Sequence, residues 1–186
     1  MSKTLTDNSY LAEKIKLRLN NLPDKKEINV LDMFSGNGLI WKRIKKQSQS
    51  KINVLRMEKK KDAQGVYLRG DNRKYIINYD QFDLIDLDAY GVPHKQLEKI
   101  FKQSKKELGI FITFIQIVYG QLPFGFLEEI GYSRAMIKKI PNLFMKNGQQ
   151  KLLNFLTVKG VRNVKIYYNQ SRRKNYLFFK INEHEQ

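Results

Sequence analysis

The 186-residue sequence predicts an α/β fold, in which a mostly parallel sheet carries helices on both faces. Apolar runs of strand length alternate with segments of helical spacing throughout the chain, as in folds built from parallel strands and crossover helices. The last two strand patterns are separated by one short basic turn, which is typical of a hairpin. A hydrophobic content of 41% is sufficient for a packed core.

The first half of the chain predicts a helix followed by a strand-helix-strand unit. Apolar residues at helical spacing begin after the capping candidates Asn8 and Ser9 and stop at Pro23. The patterns that follow are a strand at Ile28 to Met33, a helix carrying Ile40, Trp41 and Ile44, and a strand at Ile52 to Met57. We expect a single domain, with a helix and lead-in at 1–27 and the sheet core at 28–186.

The second half predicts a short strand at Val66 to Leu68, a strong strand at Phe82 to Leu87, and a helix that Pro93 opens. The apolar side of that helix consists of Leu97, Ile100, Phe101 and Leu108. The remaining patterns are a strand at Ile110 to Val118, a loop rich in Gly, Pro and Phe at Gly120 to Gly131, helices at Ser133 to Ile140 and Gln149 to Thr157, and hairpin strands at Val164 to Tyr168 and Tyr176 to Ile181.

The charge of the chain favours a polyanionic partner. Its 35 Lys and Arg residues exceed its 18 Asp and Glu residues, which gives a formal net charge of +17. Clustered cations bind phosphates with release of counterions, so nucleic acid is the expected partner. Codon bias in an AT-rich genome is the alternative, although that bias enriches Glu too, and Glu is scarce. Polar residues at Met1 to Asn8 and the lack of a long apolar run predict a cytoplasmic protein that does not enter the membrane.

The residue types that are missing exclude several chemistries. Without cysteine the chain has no disulfide, no thiolate zinc site and no cysteine nucleophile. His94 and His184 are its two histidines, which excludes a multi-histidine metal site and argues against hydrolysis through a Ser-His-Asp triad. We expect no bound metal.

Acidic residues follow four consecutive predicted strands. Asp32 ends the first strand, Glu58 follows the second, Asp71 follows the third, and Asp86 and Asp88 close the fourth. In an open parallel sheet, ligands bind beyond the carboxyl ends of the strands. In a chain this basic, the arrangement predicts a ligand site that is rich in carboxylates.

A glycine-containing turn joins the first predicted strand to the next helix. Gly36 and Gly38 lie in this turn, where glycine lets the backbone approach a ligand closely. A dinucleotide-binding turn requires a small residue three positions after its second glycine, and that position is Trp41. The turn therefore argues against a nicotinamide or flavin dinucleotide.

The segment Val30 to Gly38 resembles the first motif of class I S-adenosylmethionine-dependent methyltransferases, in the Asp-x-Phe-x-Gly-x-Gly form that is common among nucleic-acid methyltransferases. The resemblance covers nearly the whole chain. It implies a Rossmann-like fold with a seven-stranded, mostly parallel sheet and a C-terminal antiparallel hairpin, and S-adenosylmethionine as the cofactor.

The same resemblance implies roles for individual residues. Glu58 would hold the ribose hydroxyls and Asp71 the adenine amino group, while Asp86 is a further cofactor contact. The methionine end of the cofactor would lie against Asp32 and the turn residues Phe34, Ser35, Gly36, Asn37 and Gly38. Two alternatives stay open: Asp71 caps a helix or turn, and Glu58 pairs with the neighbouring lysines Lys59 to Lys61.

The end of the fourth predicted strand, Asp86 to Gly91, resembles the Asp-Leu-Asp-Pro-aromatic-Gly motif of tRNA guanine-N2 dimethyltransferases. Asp88 and Tyr90 match that motif, and Ala89 replaces its proline. The resemblance implies that Asp88 accepts an N–H of an exocyclic amine, whose lone pair is delocalised into the ring, and that Tyr90 supports the base. The alternative role of Asp88 is capping of the helix near Pro93.

Two basic features are candidate nucleic-acid contacts. Lys95, Lys99, Lys102 and Lys106 recur at helical spacing on the side opposite the apolar residues. The turn Arg172-Arg173-Lys174 lies beside Tyr167, Tyr168 and Tyr176. A solvated helix face and tyrosines that serve only packing are the respective alternatives. The segment Gln121 to Phe126 is a candidate substrate loop.

The sequence as a whole predicts an S-adenosylmethionine-dependent methyltransferase that acts on an exocyclic amine of a nucleic-acid base, with tRNA-like RNA slightly favoured over DNA. Methylation at a pyrimidine C5 is excluded because it needs a cysteine thiolate. Two alternatives remain: a methyltransferase of proteins or small molecules, and a nucleic-acid-binding module that keeps the cofactor fold without catalysis.

Overall fold

A computed structural model of the chain describes residues 10–61, 63–115, 122–168 and 174–182. Its strands are β1 (Glu27–Asp32), β2 (Lys51–Glu58), β3 (Leu68–Arg69), β4 (Leu84–Leu87), β5 (Leu108–Ile115), β6 (Val164–Tyr168) and β7 (Lys174–Ile181). Its α-helices are α1 (Leu11–Leu19), α2 (Leu39–Gln47), α3 (His94–Gln103), α4 (Phe124–Glu129), α5 (Arg134–Lys139) and α6 (Gly148–Val158). Short 3-10 helices cover Asn72–Lys74, Tyr79–Gln81 and Pro141–Met145.

The described residues form one seven-stranded sheet in the order β3-β2-β1-β4-β5-β7-β6. Strands β1 to β5 pair in parallel, and β7 runs antiparallel to both β5 and β6. The predicted fold class and C-terminal hairpin are therefore confirmed. In the parallel register Asp32 of β1 lies opposite Asp86 of β4, so both carboxylates reach the same edge of the sheet.

Alternation along the strands divides the core into two layers. Leu31 and Ile85 face one side, where the apolar residues of α3, α4, α5 and α6 pack. Val30 and Leu84 face the other side, which α1 and α2 cover. Complete burial of each large apolar side chain stabilises the fold by about 1.5–3 kcal/mol relative to exposure. Because successive strand residues point to opposite faces, the same alternation decides the side on which each carboxylate at the strand ends lies.

The third helix is shorter than its sequence pattern predicts. It ends at Gln103, Leu108 is the first residue of β5, and Lys106 lies in the connection between the two elements. The Asp80 carboxylate accepts the backbone N–H of Lys105 at 2.9 Å, so the chain turns away from the helical path after Ser104. Lys106 therefore does not belong to the helix face of Lys95, Lys99 and Lys102, which corrects the predicted stripe of four lysines.

The predicted loop at Gly120 to Gly131 contains a helix. Residues 116–121 lie outside the described part of the chain, and α4 follows Pro123. The backbone N–H of Leu127 donates to the Pro123 carbonyl at 3.1 Å, and Phe126 and Leu127 are buried in the core. Core packing thus overrides the loop composition here.

Other boundaries differ less. The first helix stops at Leu19, and the third strand is reduced to Leu68–Arg69. The capping candidates Asn8 and Ser9 lie outside the described residues. None of the helices in the described ranges has the length and apolar character needed to cross a bilayer.

Candidate active site

A cavity of about 370 Å³ opens at the carboxyl ends of β1, β2, β3 and β4. Four of the predicted ligand and target contacts line it, namely Phe34, Glu58, Asp71 and Tyr90. Ala89 and Lys95 line it as well. The parallel sheet therefore brings together residues from four separate turns, which is the arrangement that the acids at the strand ends predict.

Glu58 connects the end of β2 to the glycine-containing turn. Its Oε2 accepts the backbone N–H of Gly36 at 2.7 Å, and its Oε1 accepts the backbone N–H of Lys60 at 2.9 Å. The carboxylate thus contacts the backbone of Lys60 rather than forming the predicted alternative, an ion pair with the lysine side chains. This carboxylate is half-buried at the cavity wall, with part of its acceptor capacity still available to hydroxyl groups.

The turn itself requires glycine for a reason that the sequence does not reveal. Gly38 has φ +71°, and a Cβ added there would lie 2.7 Å from the guanidinium of Arg56. Arg56 donates to the Gly36 carbonyl at 2.9 Å and to the Gln64 carbonyl at 2.8 Å. The close neighbour of Gly38 is therefore an arginine side chain that braces the turn.

Ser35 offers an unused polar group in the same turn. Its backbone N–H donates to the Met57 carbonyl at 3.1 Å. Its hydroxyl oxygen is buried and has no hydrogen-bond partner among the described residues. A buried hydroxyl without a partner costs free energy, so a ligand with donors or acceptors beside the turn would satisfy it. This observation fits a polar cofactor at the turn.

Asp71 caps the 3-10 helix Asn72–Lys74, as one of the two alternatives predicts, and it also lines the cavity. Its Oδ1 accepts the backbone N–H of Arg73 at 3.0 Å and the Arg73 Nε at 2.9 Å. Hydrogen bonds from Arg73 hold the pKa of Asp71 well below its usual range. The side chain is therefore a permanent anion at the cavity wall.

Asn72 is a cavity residue that the sequence motifs do not single out. It is buried, its amide donates to the Met33 carbonyl at 2.6 Å, and its oxygen accepts from Gln96 at 2.8 Å. Asn72 and Gln96 both line the cavity. Polar residues do not contribute to the hydrophobic periodicity from which helices and strands are predicted. The pairing of Asn72 with Gln96 is therefore visible only in the folded chain.

Asp86 is not at the cavity, which corrects its assignment as a cofactor contact. The Arg18 guanidinium donates to Asp86 Oδ2 through Nε at 2.7 Å and to Oδ1 at 2.6 Å, and the Trp41 Nε1 donates to Oδ2 at 2.8 Å. Strand alternation directs this carboxylate to the side of the sheet that α1 and α2 cover. Asp86 therefore anchors the first helix.

Asp32 and Asp88 lie on that same side, and neither is among the residues that line the cavity. Asp32 is buried, and burial together with the neighbouring Asp86 and Asp88 raises its pKa well above the usual value. The Lys14 ammonium donates to both oxygens of Asp88 at 2.8 Å, and the Thr113 hydroxyl donates to Oδ1. Burial alone would raise the pKa of Asp88, but Arg18 and Lys14 hold it below its usual value.

The two cations of this cluster are functional candidates that the sequence interpretation missed. Lys14 and Arg18 are four residues apart, so they share one face of α1, and both are buried. The signal that could have found them was their position beside the apolar stripe Leu11, Ile15 and Leu19 of the same helix. Buried cations require acidic partners, and the three aspartates at the ends of β1 and β4 supply them.

Tyr90 and the lysines of α3 occupy the cavity mouth and its surroundings. Tyr90 is 80% exposed although it lines the cavity, so its ring is available to a flat ligand. Lys95 lines the cavity, Lys99 donates to the Arg73 carbonyl, and Lys102 is exposed.

The predicted basic turn is described only in part. Arg172 and Arg173 lie outside the described residues, and Lys174 is the first residue of β7. Tyr176 is buried, which supports the packing alternative for that ring.

His94 forms a charged cluster behind the cavity. Its Nε2 lies 2.9 Å from Glu129 Oε1 and its Nδ1 lies 3.7 Å from Glu98 Oε2. The Lys159 ammonium pairs with the other oxygen of Glu129. Ligand atoms of His94, Glu98 and Glu129 come within 4.8 Å of one another, but Lys159 already supplies the cation that Glu129 needs. The cluster connects α3 to α4 and to the end of α6.

Comparison with known proteins gives matches in structure alone. No protein-family model matches this sequence, and no curated protein matches it. A possible exported protein from Bordetella parapertussis superimposes with a TM-score of 0.61 at 8% identity, over 95% of this chain and 68% of that one. A SAM-dependent methyltransferase from Aquifex aeolicus superimposes with a TM-score of 0.57 at 15% identity, over 95% of this chain and 94% of that one.

A longer protein matches as well. Phosphoethanolamine N-methyltransferase 2 from Haemonchus contortus, in complex with S-adenosyl-L-methionine, superimposes with a TM-score of 0.56 at 14% identity, over 91% of this chain and 51% of that one. The present chain thus spans about half the length of that enzyme. Similarity at these identities establishes the fold, and it confirms the predicted Rossmann-like sheet of class I methyltransferases.

Proposed function

We propose that this chain is an S-adenosylmethionine-dependent methyltransferase that methylates an exocyclic amine of a nucleic-acid base, with RNA slightly favoured over DNA. One observation carries the proposal: in a methyltransferase-like sheet, residues that match the cofactor and target motifs line one cavity at the strand ends. The similarity to methyltransferases in fold favours this chemistry without specifying the substrate.

The cofactor half of the cavity uses the ends of β1, β2 and β3. Glu58 is placed to accept from ribose hydroxyls and Asp71 from an adenine amino group. The buried Ser35 hydroxyl, which follows the cavity residue Phe34, would bond the polar end of the ligand. When bound, S-adenosylmethionine supplies a methyl group on a cationic sulfonium, which a nucleophile attacks. The carboxylates at the strand ends provide the negative potential that such a cation needs.

The target half of the cavity uses the end of β4. Tyr90 presents an exposed ring on which a base stacks, and stacking positions the amine in line with the methyl group. The motif match assigns to Asp88 the acceptance of one N–H of that amine, which draws the nitrogen towards tetrahedral geometry and increases its nucleophilicity. Its carboxylate does not line the cavity and is bound by Lys14 and Thr113, so this role requires Asp88 to exchange those contacts for the substrate. Ala89, at the position of the motif's proline, lines the cavity together with Tyr90.

A polyanionic substrate is favoured by the cations around the cavity. Lys59 and Lys95 line it together with Arg73, and Lys102 continues the basic surface along α3. Phosphates that flank the target nucleotide would contact these side chains, as expected from the net charge of +17. RNA is preferred because a base in a single-stranded loop reaches such a cavity without disruption of a duplex.

The experiment that tests the proposal offers labelled S-adenosylmethionine to separate pools of tRNA, rRNA, DNA and phosphoethanolamine, followed by nucleoside analysis of any labelled nucleic acid. We expect label in an RNA pool, on the exocyclic nitrogen of a base. Label in phosphoethanolamine alone would assign the chain to small-molecule methylation. Cofactor binding without transfer to any pool would leave a binding module that keeps the fold.

A further inference from the structure

Gln96 has an unpaired acceptor oxygen at the wall of the cavity. The residue belongs to the first turn of α3 and lines the cavity. Its Nε2 donates to Asn72 Oδ1 at 2.8 Å, whereas its Oε1 has no hydrogen-bond partner among the described residues. The residue is 8% exposed, and its Oε1, unlike the Ser35 hydroxyl, is not completely enclosed by protein atoms. The oxygen is therefore accessible to a ligand in the cavity.

A backbone carbonyl fixes the orientation of the Gln96 amide. The Met33 carbonyl can only accept, so the Asn72 atom that contacts it at 2.6 Å is the nitrogen Nδ2. The Asn72 oxygen is then left to accept from Gln96, and this bond directs the Gln96 nitrogen towards Asn72. A rotation that exchanged Gln96 Oε1 for Nε2 would bring two amide oxygens together. The accessible atom of Gln96 is consequently an acceptor and not a donor.

The carboxylates near the cavity have other assignments. Glu58 and Asp71 line the cavity and are assigned to the cofactor, and the Asp88 carboxylate is not part of the cavity lining. Gln96 lines the cavity on the helix that follows the turn of Tyr90, the residue on which the target base is proposed to stack. Its Oε1 is thus an acceptor at the cavity wall that is available without the loss of an existing contact.

We propose that Gln96 Oε1 accepts one N–H of the exocyclic amine on the target base, and that this contact selects bases with an amine. The inference rests on the proposed function and deepens it, because it names the group that recognises the amine. An amide oxygen takes no proton at neutral pH, so Gln96 orients the amine and does not act as its base. The second N–H of the amine stays available to another acceptor.

The chemistry of the two partners accounts for the selection. An N–H of the base and Gln96 Oε1 form a hydrogen bond that replaces the hydration of both groups. A base with a carbonyl at the same position would place two acceptors opposite each other, and both would lose water without gaining a bond. Gln96 cannot offer its nitrogen to such a carbonyl, because Asn72 binds that nitrogen. A base without the amine is therefore bound less tightly.

The test measures the affinity of the full-length chain, saturated with S-adenosylhomocysteine, for short single-stranded RNAs. The strands consist of uracil nucleotides except for one central base, which is adenine, guanine, cytosine, uracil or hypoxanthine. Because all strands have the same phosphates, differences in affinity report the base. We expect at least one amine-bearing base to bind about threefold to tenfold more tightly than its counterpart without that amine, which is hypoxanthine for the purines and uracil for cytosine.

Three variants identify the residue that is responsible. Gln96→Met removes the acceptor at similar side-chain length and should abolish the preference. Gln96→Glu keeps an acceptor oxygen and should retain the preference, which guards against a general loss of folding. Gln103→Met, at an exposed glutamine of the same helix, is the matched control and should match the wild type. A wild type without any preference, or a preference that persists in Gln96→Met, would overturn the inference.

Calorimetry with S-adenosylhomocysteine separates the target base from the adenine of the cofactor. The affinity of Gln96→Met should stay within about twofold of the wild type, because the substitution removes no proposed cofactor contact. A loss of about tenfold, with the base preference intact, would place the contact on the cofactor and overturn the assignment to the target. A wild type that prefers amine-bearing bases but transfers no methyl group to any pool overturns the proposed function instead, so the two failures are distinguishable.

Discussion

The guanidinium of Arg18 binds both carboxylate oxygens of Asp86, at 2.6 and 2.7 Å, in a pair whose two side chains are each 1% exposed. This pair joins the first helix to the fourth strand across 68 residues of sequence. The sequence motifs place Asp86 among the cofactor contacts, but in the structure its carboxylate stabilises the fold by holding α1 against β4. The same helix also brings the Lys14 ammonium to the Asp88 carboxylate, so the Arg18–Asp86 pair influences the surroundings of Asp88.

Loss of one member of this pair should destabilise the fold strongly. Among the described residues, Arg18→Gln leaves the buried Asp86 side chain with the Trp41 hydrogen bond alone, and we expect the free energy of unfolding to fall by about 3–5 kcal/mol. Urea titration monitored by circular dichroism measures the change. Arg43→Gln, which removes an exposed cation from α2, is the control and should change stability by less than about 0.5 kcal/mol. Similar midpoints for the two variants would refute the anchoring role.

Glu58 should contribute to cofactor affinity. Glu58→Ala removes the carboxylate that lines the cavity, and it should weaken S-adenosylmethionine binding by about 1–3 kcal/mol because polar partners of the ligand stay unsatisfied. Isothermal titration calorimetry provides the measurement, with Glu107→Ala on the distant Lys180 pair as the control. NAD should give no heat with the wild type. Unchanged affinity in Glu58→Ala would remove this residue from the cofactor site.

Asp88 should affect the rate and not cofactor binding. We expect Asp88→Asn to lower the rate of methyl transfer by roughly a hundredfold or more, because the amide offers a weaker acceptor to the substrate amine. Cofactor affinity should stay within about twofold, since the substitution changes none of the residues that line the cavity. Single-turnover kinetics with saturating cofactor measure the step directly. Equal rates in mutant and wild type would exclude Asp88 from the mechanism.

Asp32 should make the folded chain less stable as pH rises, whereas an acid with a lowered pKa makes it more stable. Because its pKa is raised in the folded state, its contribution is fully present below the usual pKa of 3.8 and is lost as pH rises through the folded value. Asp32→Asn cannot ionise, so its stability advantage over the wild type should grow from acidic to neutral pH. Urea titrations at several pH values measure that difference.

Asp83 provides the contrasting control for this experiment. Its carboxylate accepts from the Asn29 backbone at 2.8 Å and from Lys25 at 2.6 Å, and these contacts outweigh burial to lower its pKa. Asp83→Asn should therefore lose stability relative to the wild type at neutral pH, and the loss should shrink as pH falls through the usual pKa towards the lowered value. Parallel curves for Asp32→Asn and the wild type would mean that folding does not raise the pKa of Asp32.

The lysines of α3 should contribute to nucleic-acid binding through counterion release. Replacement of Lys95, Lys99 and Lys102 by Gln should make the slope of log affinity against log salt shallower by about 0.7 to 0.9 for each phosphate that is no longer neutralised. Replacement of Lys42, Lys45 and Lys46 on α2 removes the same charge from the other face of the sheet. That control should weaken binding through the overall field with nearly the same slope as the wild type. Identical slopes in the two triple variants would argue that α3 does not bind phosphates.

Several elements of the site were predictable from local sequence. The apolar pattern and the turn Gly36-Asn37-Gly38 predict a strand end and a helix start, and the structure has both at that point. Acids at successive strand ends predict a cavity there, which Glu58 and Asp71 line. These predictions succeed because each depends on residues close together in the chain and on the rule that parallel strands end at one edge.

The sequence by itself determined the class of fold, the turn after β1 and the strand ends from which the cavity is built, since periodicity and turn chemistry are local properties. Only the tertiary structure decided which carboxylates reach the cavity. Asp86 and Asp88 are two residues apart, so their side chains point to the same face of the sheet. Helix α1 covers that face, and its Arg18 and Lys14 are 68 and 74 residues away from these acids in sequence. A buried acid takes the cation that packing brings to it, and that pairing depends on three-dimensional proximity rather than on spacing along the chain.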